Sequence, residues 1–227
     1  MIFIILLASL ATAVLATPLV DSNPASLSAT TGFILVANLT DTTRDFSPSI
    51  NHLKLTGVRI GAGLETAVLT NNTGRTFYEN GTDGNIGVVS DSGGTYPISM
   101  IMDALAPGEA DADYVDYVGI DVGTAQPGIG IAAPPADVPA LYGPDMGTFV
   151  VCFESQPVYG KPQYPVRFAK AQLVNGVAYQ KIPAQCAPIT LLPQCAQLDD
   201  AVPSGALYDH DYARNVRCYG NVASVTW

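Results

Sequence analysis

The chain predicts an all-β fold, an antiparallel β-sandwich of jelly-roll-like or immunoglobulin-like kind with little helix. Three observations carry this. Short apolar runs of strand length recur along the chain, turn signals separate them, and no useful stretch keeps a helical apolar period. The 21 glycines and 17 prolines among 227 residues supply the turns, and a hydrophobic share of 48% suffices for one sizeable core.

The elements follow in order. From Ile2 to Ala16 there is no charge, and only Ser9 and Thr12 are polar. The run is shorter than the ~20 apolar residues of a membrane span and suits the apolar core of a secretory signal. Val14 and Ala16 stand three residues and one residue before a cut ahead of Thr17, and Pro18, Asp21 and Pro24 follow at once. Residues 1–16 are therefore expected to be a signal peptide. Residues 17–31, rich in Ser, Ala, Thr and Pro, read as a flexible lead-in, 32–195 as the sandwich, and 196–227 as a C-terminal extension stapled to it.

Gly32–Thr40 reads as the first strand, with Phe33, Leu35 and Ala37 on one face and Ile34 and Val36 on the other. Further strands are expected at Leu53–Ile60, Thr66–Thr70, Ile86–Ser90, Ile98–Met102, Tyr114–Val122, Gly128–Ala132, Thr148–Glu154, Val166–Leu173, Ala178–Ile182, Ile189–Leu192 and Val216–Tyr219. The turns between them include Asn72-Thr-Gly74, Asn80-Gly81, Gly93-Gly94, Pro127-Gly128 and Asn175-Gly176. Pro203 and Gly205 limit Asp199–Ala213 to one helical turn at most.

The four cysteines, Cys152, Cys186, Cys195 and Cys218, read as disulfides in an exported chain, because no C-x-x-C spacing suggests a metal. Three pairings are open, and spacing alone does not choose. Cys152–Cys186 with Cys195–Cys218 is preferred: Cys152 lies in an apolar strand and needs a buried partner, and a Cys195–Cys218 bridge staples the tail. Three N-glycosylation sequons begin at Asn38, Asn71 and Asn80, two of them in turn-like sequence that a glycan can leave.

The net charge of −10 is unevenly spread. Residues 76–160 hold twelve carboxylates and no Lys or Arg, whereas 161–227 hold six basic and four acidic side chains. That field opposes nucleic acid and anionic lipid, and suits solubility, cations or a basic partner.

Candidate chemistry is thin. Ser90-Asp91-Ser92-Gly93-Gly94 is similar to the Asp-Ser-Gly-Gly around the nucleophile of chymotrypsin-like proteases. However, the only upstream histidine is His52, that family's glycine before the Asp is Ser90 here, and its cysteine pattern is absent. A polar turn explains the string better. His210, between Asp209 and Asp211, reads as part of a turn or local hydrogen-bond network, since no second histidine or ligand at helical spacing is nearby. Glu109, Asp111, Asp113, Asp116 and Asp121 form the densest carboxylate group; on a strand, Asp111 and Asp113 would share a face. Such oxygens suit Ca²⁺, but the EF-hand pattern fails, and two carboxylates about 5–10 Å apart could act on a sugar. Tyr142, Tyr159, Tyr164 and Trp227 are candidates for stacking on sugars or for packing loops on the core. No catalytic, cofactor-binding or metal residue is assigned.

Asn51-His52-Leu53, Gly61-Ala-Gly-Leu64, Ala67-Val-Leu69, Asn80-Gly-Thr82, a Gly loop with Pro97, Phe149-Val-Val-Cys152 and Gly160-Lys-Pro-Gln163 follow one another in an order that resembles an uncharacterised family of small secreted fungal proteins. The likeness covers roughly residues 33–175. It implies an extracellular β-rich fungal protein and no catalytic residues.

The expected function is that of a secreted fungal glycoprotein, not an enzyme, that binds at the cell wall or towards a host, with cell-wall polysaccharide or a host protein as partner. It is expected to use no cofactor, nucleic acid or membrane span. A carbohydrate-active enzyme using a carboxylate pair and a Ca²⁺-stabilised adhesive module are the alternatives.

Overall fold

A computed structural model describes residues 27–82, 85–105, 111, 113–153, 164–199, 202 and 204–225. The expected signal segment, the first part of the expected lead-in, Glu109, Tyr159 and Trp227 lie outside the described residues.

The regular structure of the described residues is almost entirely strand. β1 (Leu27–Thr30), β2 (Gly32–Leu39), β3 (Lys54–Gly61), β4 (Leu64–Thr70), β5 (Thr76–Asn80), β6 (Gly87–Ser90), β7 (Ile98–Ala104) and β8 (Val115–Val122) form the first half. β9 (Gly130–Ile131), β10 (Leu141–Tyr142), β11 (Gly147–Cys152), β12 (Val166–Val174), β13 (Val177–Gln180), β14 (Cys186–Ala196) and β15 (Val216–Tyr219) follow. Thr42–Arg44 and Val222–Ser224 make single 3₁₀ turns, capped by the side chains of Asp41 and Asn221.

Thirteen strands share one hydrogen-bonded sheet that folds back on itself, and β9 and β10 pair separately. β2 is the hub. Along one edge it pairs antiparallel with β14 from Gly32↔Ala196 to Leu39↔Ile189. Along the other edge β5 takes its first half and β3 its second. β8 divides in the same way, with β7 on one edge and β12 and β4 on the other. The pairings therefore run β2–β5–β6–β7–β8–β12–β11–β14 and return to β2, a sandwich-like enclosure of the core.

Alternation puts the apolar residues inside. Phe33, Leu35, Ala37 and Leu39 of β2 point inward beside Phe77, Met100, Val118, Ile120, Phe149, Phe168, Ile189 and Leu191. The second apolar face of β2 is used as well: Val36 packs with Leu192, Tyr219 and Val222 under the C-terminal strand. A third cluster joins Val115, Val150, Ala169, Cys152 and Cys186.

Cys152 bonds Cys186 across a β11–β14 register position, and Cys195 bonds Cys218 between β14 and β15. This is the pairing preferred above. β15 is thereby fixed beside β14, to which it runs parallel.

Three details differ from the sequence expectation. Leu27–Thr30 belongs to the expected lead-in yet forms β1, because Val216–Tyr219 offers it an antiparallel edge. β14 is much longer than the expected Ile189–Leu192, and runs through Pro188 and Pro193. β5 and the two-residue β10 have no counterpart among the expected strands; in β5, Arg75, Glu79 and Asn80 hide the alternation.

Candidate binding surface

β12 leaves the enclosure after Lys170, and its last residues, Ala171 to Val174, pair with β13 as a hairpin. Asn175 (φ 53°) and Gly176 (φ 78°) make its two-residue turn, the left-handed pair that matches the twist of a hairpin. Its register is Ala171↔Gln180, Gln172↔Tyr179, Leu173↔Ala178 and Val174↔Val177. Opposed residues share a face. Val174, Val177 and Tyr179 therefore lie on one side with Gln172, and Leu173 on the other with Ala171 and Ala178.

These side chains are open to solvent: Leu173 is 63% exposed, Tyr179 58% and Val177 54%. β13 pairs only with β12, so its outer edge is unpaired among the described residues, and no charge or proline lies within it to blunt that edge. The root of the hairpin is firm. Gln180 donates from Nε2 to the Ala169 carbonyl (2.7 Å) and accepts at Oε1 from the Thr148 hydroxyl (3.1 Å), and Lys181 sets its Nζ 3.6 Å from the centre of the Tyr114 ring. Beside the root runs a groove of about 490 Å³ lined by Pro144, Asp145, Met146, Lys170, Ala171 and Leu173. Met146 is itself 56% exposed, and the groove adjoins the root of the hairpin, its lining mixing Met146 and Leu173 with Asp145, Lys170 and Gln172.

The described members of the acidic group, Asp111, Asp113, Asp116 and Asp121, do not converge. Asp111 sits in a turn with φ 63°, not on a strand, and its side chain accepts from Gln185 Nε2. Asp113 is exposed beside it. Asp116, on β8, is paired with Lys170 at 2.7 Å. Asp121 lies five residues further along β8, on its opposite face, and accepts the Glu65 N–H at 2.8 Å. Burial pushes the Asp121 carboxyl above the usual range, the Glu65 N–H acts against this, and nearby Asp103 adds to it. Among the described residues no three His, Cys, Asp or Glu side chains are placed to hold a metal. A smaller hollow of about 170 Å³, between Arg59, Gly63, Leu64 and Val122, presents one carboxylate, that of Glu65, which is paired with Arg75 at 2.7 Å. The groove likewise contains one, Asp145. Neither has the two facing carboxylates that hydrolysis of a glycosidic bond requires.

Two motifs that the sequence separates are brought together. His210 Nε2 lies 3.4 Å from Asp91 Oδ1, and the His210 ring meets Tyr78 edge-on at 4.9 Å. The neighbours Asp209 and Asp211 do not orient the imidazole; Asp209 instead accepts from the Asp211 N–H and, through its carbonyl, from the Tyr78 hydroxyl. Ser92 is exposed, and Ser90 Oγ is buried without a hydrogen bond, so no serine is activated here. His52 lies in a left-handed turn, φ 65°, against Asn51, whose Oδ1 accepts the Leu39 N–H and fixes that turn to β2.

Of the aromatic candidates, Tyr142 is partly exposed, while Tyr164 stacks on Phe46 at 5.7 Å and packs loops on the core. Sequence reasoning missed Tyr179, Leu173 and Val177. The available signal was Asn175-Gly176 between apolar runs whose residues are apolar on both faces, which a half-buried strand does not need.

The chain matches the family described as Domain of unknown function (DUF7907) over residues 30–195. It is 32% identical over 217 residues to "Antigenic protein SchS34" of the fungus Stachybotrys chartarum, which covers 92% of this chain and 94% of that protein. No solved structure matches it. With most of the sheet inside the matched span and a relative similar along nearly its full length, the chain belongs to the DUF7907 family.

Proposed function

We propose that this is a secreted, N-glycosylated protein that acts by binding rather than catalysis, and that the β12–β13 hairpin with its groove contacts another protein outside the cell. The observation that carries the reading is the hairpin itself. Leu173, Val174, Val177, Tyr179 and Met146 stand in solvent on a firmly rooted two-stranded arm. Exposed apolar surface of this kind is costly to keep unless something covers it.

A host protein fits this surface better than a cell-wall polysaccharide. Protein interfaces favour Tyr and Met with an apolar centre. A sugar calls for ring faces with polar groups around them, and this arm carries one tyrosine among aliphatic side chains. The apolar first sixteen residues and the two disulfides support export. The name of the Stachybotrys chartarum relative, an antigenic protein, suits a chain that meets a host. Among the described residues no helix is long and apolar enough to cross a membrane.

The test is to immobilise the mature protein and measure retention of host surface proteins, retention of purified cell-wall polysaccharides, and release of reducing sugar. Saturable, hairpin-dependent retention of a protein is expected. Sugar release would move the carbohydrate-active enzyme to first place, and retention of polysaccharide alone would move the partner to the cell wall.

A further inference from the structure

The segment from Ser204 to Arg214 is a strap laid over the outer face of β5 and the loop after β6. Its backbone holds on at several points. The Leu207 N–H donates to the Thr95 carbonyl (2.8 Å), the Arg214 N–H to the Glu79 carbonyl (3.0 Å), and the Gly81 N–H to the Tyr212 carbonyl (3.3 Å). Ala213 bridges to Asn80. The Tyr78 hydroxyl, itself on a fully buried residue, donates to the Asp209 carbonyl (3.2 Å).

At the centre of the strap is His210. The Asp91 side chain that faces it is only 4% exposed, and Asp91 Oδ2 already accepts the Asp199 N–H at 2.6 Å. The nitrogen facing Asp91 Oδ1, His210 Nε2, is buried and makes no hydrogen bond. A neutral ring meets Asp91 Oδ1 either with a lone pair, when its proton sits on Nδ1, or as an uncharged donor, when it sits on Nε2. With a protonated ring the contact becomes an ion pair shielded from water by Tyr78 and Tyr208, whose rings lie 4.9 and 6.4 Å away. The other titratable groups around it are Tyr78 from β5, Tyr208, Asp209 and Asp211 on the strap, and Asp199 from the chain after β14. Arg214, the cation of the strap, lies beside Glu79 on the opposite face of β5 from Tyr78.

We infer that Asp91 and His210 form an acid-strengthened clasp, which holds the 204–214 strap against β5 in acidic surroundings and loosens it towards neutral pH. The direction follows from the contact. The ion pair exists only while His210 carries its proton, so its contribution is present in acid and is lost as the imidazole deprotonates. Loosening the strap uncovers Tyr78 and Tyr208, so the surface that the protein offers changes between acidic and neutral media. The inference is independent of the proposed role of the hairpin.

Hydrogen exchange of the whole secreted protein, read by mass spectrometry at about pH 5 and about pH 7.5 across the ordinary range of histidine and corrected for intrinsic exchange, tests it. Peptides covering Leu207–Arg214 should be protected about fivefold more at the lower pH, the upper scale of a partly exposed ion pair. Peptides from β11 and β14 should show no such change. His210→Gln should remove the difference, and Asp91→Asn, which keeps an acceptor for the Asp199 N–H, should remove it as well. Equal corrected protection of the strap at both pH values overturns the inference, as does a difference that survives in either variant.

Discussion

The carboxylate of Glu79 accepts the backbone N–H of Ile131 inside the sheet enclosure, where Glu79 is only 5% exposed. By alternation Glu79 lies on the same face of β5 as Phe77, a core residue, and opposite Val88, another. The contact ties the β9–β10 pair to β5. Gly130 makes room for it: a Cβ there would lie 2.8 Å from Glu79 Oε1 and 2.7 Å from the Tyr142 hydroxyl. A buried carboxylate is a costly choice for a core, and it has a consequence in pH.

Burial pushes the Glu79 carboxyl above its usual range, although the Ile131 N–H and the charge of Arg214 act against this. The folded state therefore prefers the protonated acid. That preference stabilises in acid and is lost as pH rises through the raised pKa. Glu79→Gln keeps an acceptor for Ile131 and carries no charge. Its thermal midpoint should match the parent in acid and exceed it by a few degrees near neutrality. Thermal melts of both proteins across pH check this; a variant that is less stable at every pH would contradict it.

Cys195 and Cys218 are 23 residues apart, Cys152 and Cys186 are 34 apart. Replacing either pair by serine should cost ~3 kcal/mol in the chain-entropy account of cross-links. The Cys152–Cys186 pair should cost more, since both residues are packed within an apolar cluster. Urea unfolding gives the two values. Loss of the Cys195–Cys218 bridge should also raise exchange in β15 and β1 before the rest of the sheet.

The three sequons have different settings. Asn71 is exposed in the turn between β4 and β5. Asn38 is half-buried in β2 opposite Thr190, and Asn80 Oδ1 is buried where that residue bridges to Ala213. Asn71 should carry the fullest glycan occupancy and Asn80 the least, as read by peptide mapping of the secreted protein. A fully occupied Asn80 would contradict the placement of the strap.

Millimolar Ca²⁺ should leave the thermal midpoint unchanged. Gln185, Lys170 and the Glu65 N–H already engage Asp111, Asp116 and Asp121, which point different ways. A ligand bound only by the folded state would raise the midpoint. A rise that disappears on replacing Asp111 and Asp113 by Asn would restore the calcium-stabilised module.

Much of this fold can be read along the chain, because a strand with one buried face declares itself locally. Phe33, Leu35 and Ala37 alternate with residues that need less cover, and Asn175-Gly176 names its own turn. Legibility fails where a partner from far along the chain decides the structure. β1 forms because β15 arrives beside it, and β14 passes through two prolines because β2 supplies an edge over eight positions. The Asp91–His210 contact is of this kind: each residue looks like part of a polar turn until β5 brings the two loops together. The apolar arm was visible only as a strand, since exposure is a property of the whole enclosure and not of the strand.

The central claim is that the β12–β13 arm is the contact surface. Its most direct test is a host protein retained by the parent, measured for affinity against the triple variant Val174→Thr, Val177→Thr, Tyr179→Thr, with far-ultraviolet circular dichroism and the thermal midpoint recorded for both. Threonine keeps the β-branched shape that suits a strand while removing the apolar surface. The account predicts an unchanged spectrum, a midpoint within a few degrees, and an affinity weaker by about tenfold or more, the loss expected when the apolar centre of an interface is removed. A folded variant that binds as tightly as the parent would contradict it.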